Sequence, residues 1–501
     1  MTVIDQPAQF TPHAQLRETH TGLVLLCGDR AYKTKKPIAN DFLDFSTHEL
    51  REQACVRELE LNRRMAPDVY LGVGHFTDPL GGQDEPVLVM RRMPEDRRLS
   101  NMLRDPAESR TELSALVKML AEFHRVAGRS ADIDRAATAK SLRSRWLSVL
   151  RGLLVAPTDL LDPDRVRRVE ASAMRYLDGR EALMDNRIRD RRIVDGHGDL
   201  LAEDIFELPD GFRVLDCLDF DDTLRHLDCL DDVAFLAMDL EFRGHAELAD
   251  RFLDEYLEAT ADPAPASLRD HYIAYRAIVR TKVDCIRFEQ GVPEAAEQAI
   301  RHLDIALRHL DRGAIRLVLV GGLPGTGKST VARELAERTG ATVISSDHLR
   351  GKLRTEGSIT GPSGEYNAGA YSAAARATVY SNLLANAHTQ LANGVSVIID
   401  ASWTDPDERR SATALARELS ADLIELRCVV PQSVATERIT QRGISESDAT
   451  PLIAELMSQT AAAWPEAVVL DTVAPIDEVL RAALLAWRGD SEQEIVGRIN
   501  R

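Results

Sequence analysis

Residues 314–340 read AIRLVLVGGLPGTGKSTVARELAERTG. The first third is apolar but for Arg316, the pattern of a strand buried on both faces of a parallel sheet. The last third carries helical spacing. Between them, GLPGTGKS (322–329) satisfies G-x-x-x-x-G-K-[ST] in full, in the strand–loop–helix context that gives the motif its meaning. Glycines let successive backbone N–H groups close around phosphates, a lysine neutralises them, and a hydroxyl reaches Mg²⁺. Gly322, Gly325, Thr326, Gly327, Lys328, Ser329 and Thr330 are therefore the expected binding residues, with ATP and Mg²⁺ as cofactors. Asp400 ends the apolar run VSVIID and is expected to position the metal with Ser329. Further strands alternate with helices up to AVVLDT, so residues 313–501 are expected to form an α/β P-loop NTPase domain on a parallel sheet.

A chain of 501 residues has room for more than this domain. Hydrophobic residues make up 44% and charged residues 28%, enough to bury ordinary cores. The net charge of −18 argues against nucleic-acid binding, although it does not exclude it for the C-terminal domain. Six cysteines at 27, 55, 217, 229, 285 and 428 form no CxxC pair, so reduced, buried thiols are expected. The start MTVIDQPAQF has neither a basic nor an apolar signal segment, and no run approaches membrane-spanning length. A cytoplasmic protein with no membrane partner is the expectation; oligomeric state is open.

The region before residue 313 is organised differently. TGLVLLCGDRAYKTKKPI (21–38) reads as a hairpin turning at Gly28-Asp29, STHELREQACVRELELNRRM (46–65) as a capped helix, and EPVLVMRRM (85–93) as a strand. Mainly helical sequence follows over 99–190 and again over 228–311. Between the two helical tracts lies GHGDLLAEDIF (196–206), flanked by the short strands RRIVDGHGDL and FRVLDCLDF. An aspartate in such a loop can orient an alcohol and take its proton, while a carboxylate five residues on and another on the next strand hold the metal that bridges nucleotide phosphates. Those positions are Asp199, Asp204 and Asp219.

These segments, with LDFDDTLRHLDCLDDVAFL, resemble the aminoglycoside phosphotransferase and choline kinase-like family. The resemblance covers about 15–300 and implies an α+β, protein-kinase-like bilobal fold for domain 1–312. It places a phosphate-binding lysine at Lys33 or Lys35, its helix carboxylate at Glu58, the recurring Leu-His helix at LAEFH, and later carboxylates at Asp228 and Asp232. The chain departs from the family twice: Asp204 stands where an asparagine is usual, and no G-x-G-x-x-G loop is present. In the C-terminal part, SSDHLR sets Asp347 and Arg350 three residues apart at a helix start, facing the phosphate cleft. Asp347 can act as a base and Arg350 can hold the acceptor's phosphate or the transferring group. That pattern resembles the small P-loop kinases related to polynucleotide and gluconate kinases, a similarity covering about 314–490; Arg438 and Arg442 resemble the arginines of their lid.

Together these readings predict a bifunctional ATP-dependent kinase. Its N-terminal domain would phosphorylate a hydroxyl of a small, amino-containing acceptor, and its C-terminal domain would hydrolyse ATP or phosphorylate a second hydroxyl. Two alternatives stand beside it: a nucleotide-sensing module in which the P-loop domain regulates a catalytically weak scaffold, and polynucleotide 5′-kinase activity in the C-terminal domain.

Overall fold

The computed structural model of the chain describes residues 14–18, 22–39, 44–104, 113–155, 160–360, 369, 372–441 and 450–489. It divides into two compact units: Met1–Ser141 with Arg187–Pro263, and Leu142–Asn186 with Ala264–Arg501.

The first unit is built on a five-stranded antiparallel sheet: β1 (Ala14–Glu18), β2 (Gly22–Cys27), β3 (Arg30–Lys35), β4 (Tyr70–Phe76) and β5 (Glu85–Arg91), in the order β1-β2-β3-β5-β4. The expected hairpin is present, with Gly28 at φ 57°, where a residue without Cβ fits best. Helix His48–Asn62 packs on this sheet, and the Thr47 side chain accepts the Leu50 N–H at 3.3 Å as its cap. Leu26, Ala31, Val69, Tyr70, Leu88 and Met90 fill the core beside the sheet. Two small ribbons follow. β6 (Ile193–Asp195) pairs with β9 (His226–Asp228), and β7 (Ile205–Leu208) pairs with β8 (Gly211–Val214), so the loop 196–204 is pinned between strands at each end. Helices Ser114–Val126, Cys229–Phe242 and Ala246–Ala259 complete the unit. Helix Cys229–Phe242 is buried along nearly its whole length, which is why its sequence LDDVAFLAMDL lacks a polar stripe. A small antiparallel sheet with one packed helix, joined to a helical part carrying the loop, is the protein-kinase-like arrangement.

The second unit centres on a five-stranded sheet ordered β11-β12-β10-β13-β14, every pair parallel: β10 (Arg316–Gly321), β11 (Thr342–Ser345), β12 (Val397–Asp400), β13 (Asp422–Val429) and β14 (Val468–Asp471). β10 is central and all six of its residues are buried, as its apolar run requires. The sequence boundary expected between 312 and 313 falls inside this unit, because helices Pro163–Asp178, Ala266–Glu289 and Ala295–Arg312 are tied to the sheet. Arg175 donates to the carbonyls of Ser420 and Ala421, Arg180 to that of Leu391, and Ser267 to that of Gly394. Among the described residues no helix is long and apolar enough to cross a membrane.

Candidate functional sites

In the first unit, alternation along β3 puts Lys33 and Lys35 on one face, and both reach the same carboxylate. Lys33 Nζ is 2.8 Å from Glu58 Oε1, and Lys35 Nζ is 2.7 Å from Glu58 Oε2. Glu58 is fully buried; its burial favours the neutral acid, but the two ammonium groups overcome this and hold its pKa below the usual range. Each lysine has a second partner: Asp216 for Lys33 and Asp219 for Lys35, both at 2.8 Å. Burial works against the charge on Lys33, yet Asp216 and Glu58 prevail and raise its pKa well above normal.

The loop that follows β6 is fastened by one buried acid. Asp232 accepts the backbone N–H of His197 at 2.7 Å and of Gly198 at 2.9 Å, and contacts His124 Nε2 at 3.0 Å. Burial alone would raise its pKa; the hydrogen bond and charge of His124, with those from His197, drive it far below the usual range instead. Gly198 lies at φ 85°, and a Cβ there would meet Arg225 Cγ at 3.2 Å and Leu218 Cβ at 3.3 Å. Arg225, itself buried, braces the same loop through Asp195, Asp222 and the Leu218 carbonyl. Asp239 accepts the Ala202 N–H at 2.9 Å. Asp228 caps helix Cys229–Phe242 and pairs with Arg187. Of the two later carboxylates of the motif, Asp232 therefore shapes the loop from behind, while Asp228 serves its helix and Arg187.

Asp199 and Asp204 are half-buried in this loop region. The pKa of Asp204 is raised well above normal, first by burial and then by the negative charges of Asp216, Glu203 and Asp199. Asp216, held at φ 61° in the left-handed region, is drawn the other way by Lys33. Asp216, which the sequence reading passed over, acts on Asp204 and is held by Lys33, while Asp219 is held in the same way by Lys35. Both follow β8 within the one segment VLDCLDF. No group of three or more His, Cys, Asp or Glu among the described residues encloses a metal site. Asp204 and Asp216 nevertheless suit Mg²⁺, which takes one or two carboxylates and completes its shell with phosphate and water.

In the second unit the expected residues converge at the C-terminal edge of the sheet, where open α/β sheets bind ligands. Val320 pairs with Asp400, and Asp400 with Ser345, so the P-loop, the end of β12 and the start of helix Ser346–Thr355 lie side by side. Ser329 Oγ donates to Asp400 Oδ2 at 2.6 Å. Burial raises the pKa of Asp400 against the opposing pull of Lys328 and Ser329. Lys328 Nζ donates to the Leu323 carbonyl at 3.1 Å across the loop. Gly325 is at φ 81°, and a Cβ there would sit 2.6 Å from the Ala435 carbonyl oxygen. Asp347 and Arg350 pair at 2.6 Å across one helical turn. A cavity of about 810 Å³ is lined by Gly325, Gly327, Lys328, Ser329, Thr330, Asp347, Arg350, Asp400 and Arg438. Arg438 reaches the Thr472 carbonyl at 2.9 Å, and Thr472 Oγ1 donates to the Thr326 carbonyl at 2.7 Å. Arg442 lies outside the described residues. Sequence reading missed Arg376, Tyr380, Thr404 and Thr472 in the lining; single polar residues in helices and loops carry no motif. The serine–aspartate pair and the lysine are the donor set that Mg²⁺ and phosphate require.

The AAA domain family matches residues 317–465. Among solved structures, a choline/ethanolamine kinase family protein from Mesorhizobium loti is 16% identical, covering 62% of this chain and 94% of its own at a TM-score of 0.35. A gluconokinase from Sinorhizobium meliloti is 20% identical, covering 37% of this chain and 98% of its own at a TM-score of 0.26. The uncharacterized proteins Rv2004c of Mycobacterium tuberculosis and Mb2027c of Mycobacterium bovis are each 46% identical over 482 residues, 96% of this chain and 97% of theirs. With identity of that level sustained through both units, the chain belongs to the family of these mycobacterial proteins.

Proposed function

We propose that the protein is a two-site ATP-dependent phosphotransferase. The observation that carries this reading is the single cavity that gathers Lys328, Ser329 and Asp400 with Asp347 and Arg350. The first three suit a magnesium nucleotide; the last two, on the neighbouring helix Ser346–Thr355, suit an acceptor. Mg²⁺, when bound, neutralises phosphate charge at Ser329 and Asp400 in this unit and at Asp204 and Asp216 in the other. Asp347 takes the proton of the acceptor hydroxyl as its oxygen bonds to the γ-phosphorus. The bond from that phosphorus to the β–γ bridging oxygen breaks, and ADP leaves. Arg350 steadies the acceptor or the transferring group.

In the first unit Asp199 has the same role toward a small alcohol, an amino sugar or amino alcohol being favoured by the acidic surroundings. Lys33, or Lys35, turns from its internal partners toward the α- and β-phosphates. Positioning and charge neutralisation account for most of the rate in such a site. The second reading, a P-loop unit that senses nucleotide on behalf of a weak kinase-like scaffold, is favoured by Asp204, a carboxylate in place of the usual asparagine, whose pKa burial and the neighbouring acids push well above normal.

The test is ATP consumption and product formation over sugars, amino sugars, amino alcohols and 5′-hydroxyl oligonucleotides, with wild type, Asp199→Asn and Lys328→Ala. Two activities, each abolished by one variant and spared by the other, are expected. If Asp199→Asn leaves every transfer intact while Lys328→Ala removes all of them, the N-terminal unit is a scaffold.

A further inference from the structure

The second unit holds another cavity, of about 650 Å³, at the opposite edge of the sheet from the P-loop. Arg316 lines it at the start of β10, and Arg338 and Thr339 line it at the end of helix Lys328–Thr339. A six-residue strand and a twelve-residue helix put roughly 20 Å between this cavity and the phosphate loop. Its lining contains seven arginines against two aspartates. Several of these arginines are spoken for: Arg168 pairs with Asp311, Arg175 with Asp422, and Arg312 with Asp270.

Two are not. Arg180 is 0% exposed and lies in the cavity wall; its Nη1 donates to the Gly179 and Leu391 carbonyls, but buried Nε and Nη2 have no hydrogen-bond partner. Among the described residues no carboxylate pairs with it; the ring of Tyr176 lies 5.6 Å from its guanidinium. Arg316, also buried, donates its side-chain N–H groups only to the carbonyls of Ala314, Asp311 and Trp487. A further unmet donor is His271, fully buried in the same wall. The Trp146 indole N–H donates to its Nε2 at 3.0 Å, so in the neutral ring the proton sits on Nδ1, and that buried atom has no partner. Burial pushes the Arg180 guanidinium down to about 10 and the His271 imidazole down to about 3. A folded chain rarely leaves a buried guanidinium and a buried imidazole N–H unmet, because each loses water without compensation.

From this geometry we infer that the cavity is a binding site for a small polyanion, a phosphate- or pyrophosphate-bearing metabolite, whose oxygens accept from Arg180 Nε and Nη2 and from His271 Nδ1. Arginine's planar fork matches phosphate oxygens in pairs. The volume is within the range of small-ligand pockets. The helix that opens at Lys328 ends at Thr339 in this wall, so ligand here bears on the element that carries the P-loop. The inference does not depend on whether either unit transfers phosphate.

The experiment uses the full chain carrying Lys328→Ala, which removes the P-loop lysine as a competing anion ligand. Calorimetric titration and thermal melting are run with inorganic pyrophosphate and, separately, inorganic phosphate. Pyrophosphate is expected to bind and to raise the melting temperature. Adding Arg180→Met, which keeps the volume and removes the charge, should abolish both effects. Adding Arg168→Ala, at the cavity's exposed rim, should weaken pyrophosphate binding at least threefold and serves if the Arg180 variant does not fold. Absence of pyrophosphate binding to the Lys328→Ala protein overturns the inference, as does binding of equal strength in the Arg168→Ala protein or in a folded Arg180→Met protein.

Discussion

Lys33 Nζ lies 2.8 Å from Asp216 Oδ1, bringing a strand lysine of the antiparallel sheet against an aspartate in the turn that follows β8. That contact makes Asp216 a candidate, beside its neighbour Asp219, for the second carboxylate of the loop carrying Asp199 and Asp204. Replacing Asp216 by Asn should therefore lower N-terminal phosphoryl transfer by roughly 10²–10³-fold, the cost of losing one preorganised charge. Asp219→Asn releases the buried Lys35 and should cost stability more than rate, keeping turnover of the folded protein within about tenfold of wild type. Steady-state rates of the two variants on one acceptor decide; equal losses would return Asp219 to the metal.

The P-loop unit offers a cleaner separation. Lys328→Ala removes a charge-assisted contact to phosphate and should cost about 2 kcal/mol of nucleotide affinity, roughly 30-fold. Gly325→Ala should act as strongly by another route, since φ 81° and a Cβ 2.6 Å from the Ala435 oxygen both oppose it. Calorimetry with a non-hydrolysable ATP analogue should find two binding events in wild type and one in either variant. A single event in wild type that disappears with Lys328→Ala removes the N-terminal nucleotide site.

Asp232 should matter to folding more than to chemistry. It is fully buried and satisfies His124, His197 N–H and Gly198 N–H together, so Asp232→Ala should destabilise by about 3–5 kcal/mol. Its folded pKa is depressed, so its stabilisation is fully present above the unfolded value near 4 and is lost as pH falls below it. Urea unfolding of wild type at pH 7 and pH 4 should show that loss beginning, and Asp232→Asn should show less of it. Identical pH slopes in the two proteins would remove Asp232 as the source.

The uneven legibility of the two sites has a physical origin. The P-loop is contiguous, and strand burial forces its neighbours: once β10 is central, Asp400 must end an adjacent strand at the same edge. Asp347 and Arg350 follow from the next strand end for the same reason. In the kinase-like unit the loop was readable but its supports were not. Asp239, Arg225 and Arg187 act through long-range contacts that leave no local spacing, and Asp216 and Asp219, three residues apart, each meet a lysine of β3. Strands β1 and β4 escaped notice because their exposed, mixed residues lack clear alternation.

The same edge logic makes Asp347 and Arg350 separable by kinetics. They pair with each other at 2.6 Å, so removing either changes the charge beside its partner. If Asp347 takes the acceptor's proton, Asp347→Asn keeps the side chain's shape and should reduce kcat by about 10²–10⁴-fold with little change in KM for ATP. Arg350→Ala removes a contact to the acceptor and should chiefly raise the acceptor's KM, because a contact made equally in ground and transition states changes binding without changing kcat. The measurement is a two-substrate steady-state analysis, using the acceptor whose turnover Lys328→Ala abolishes. If Asp347→Asn retains wild-type kcat, the aspartate serves only to hold Arg350, and the base in this unit must be sought among the other cavity residues, where Asp400 is the remaining carboxylate.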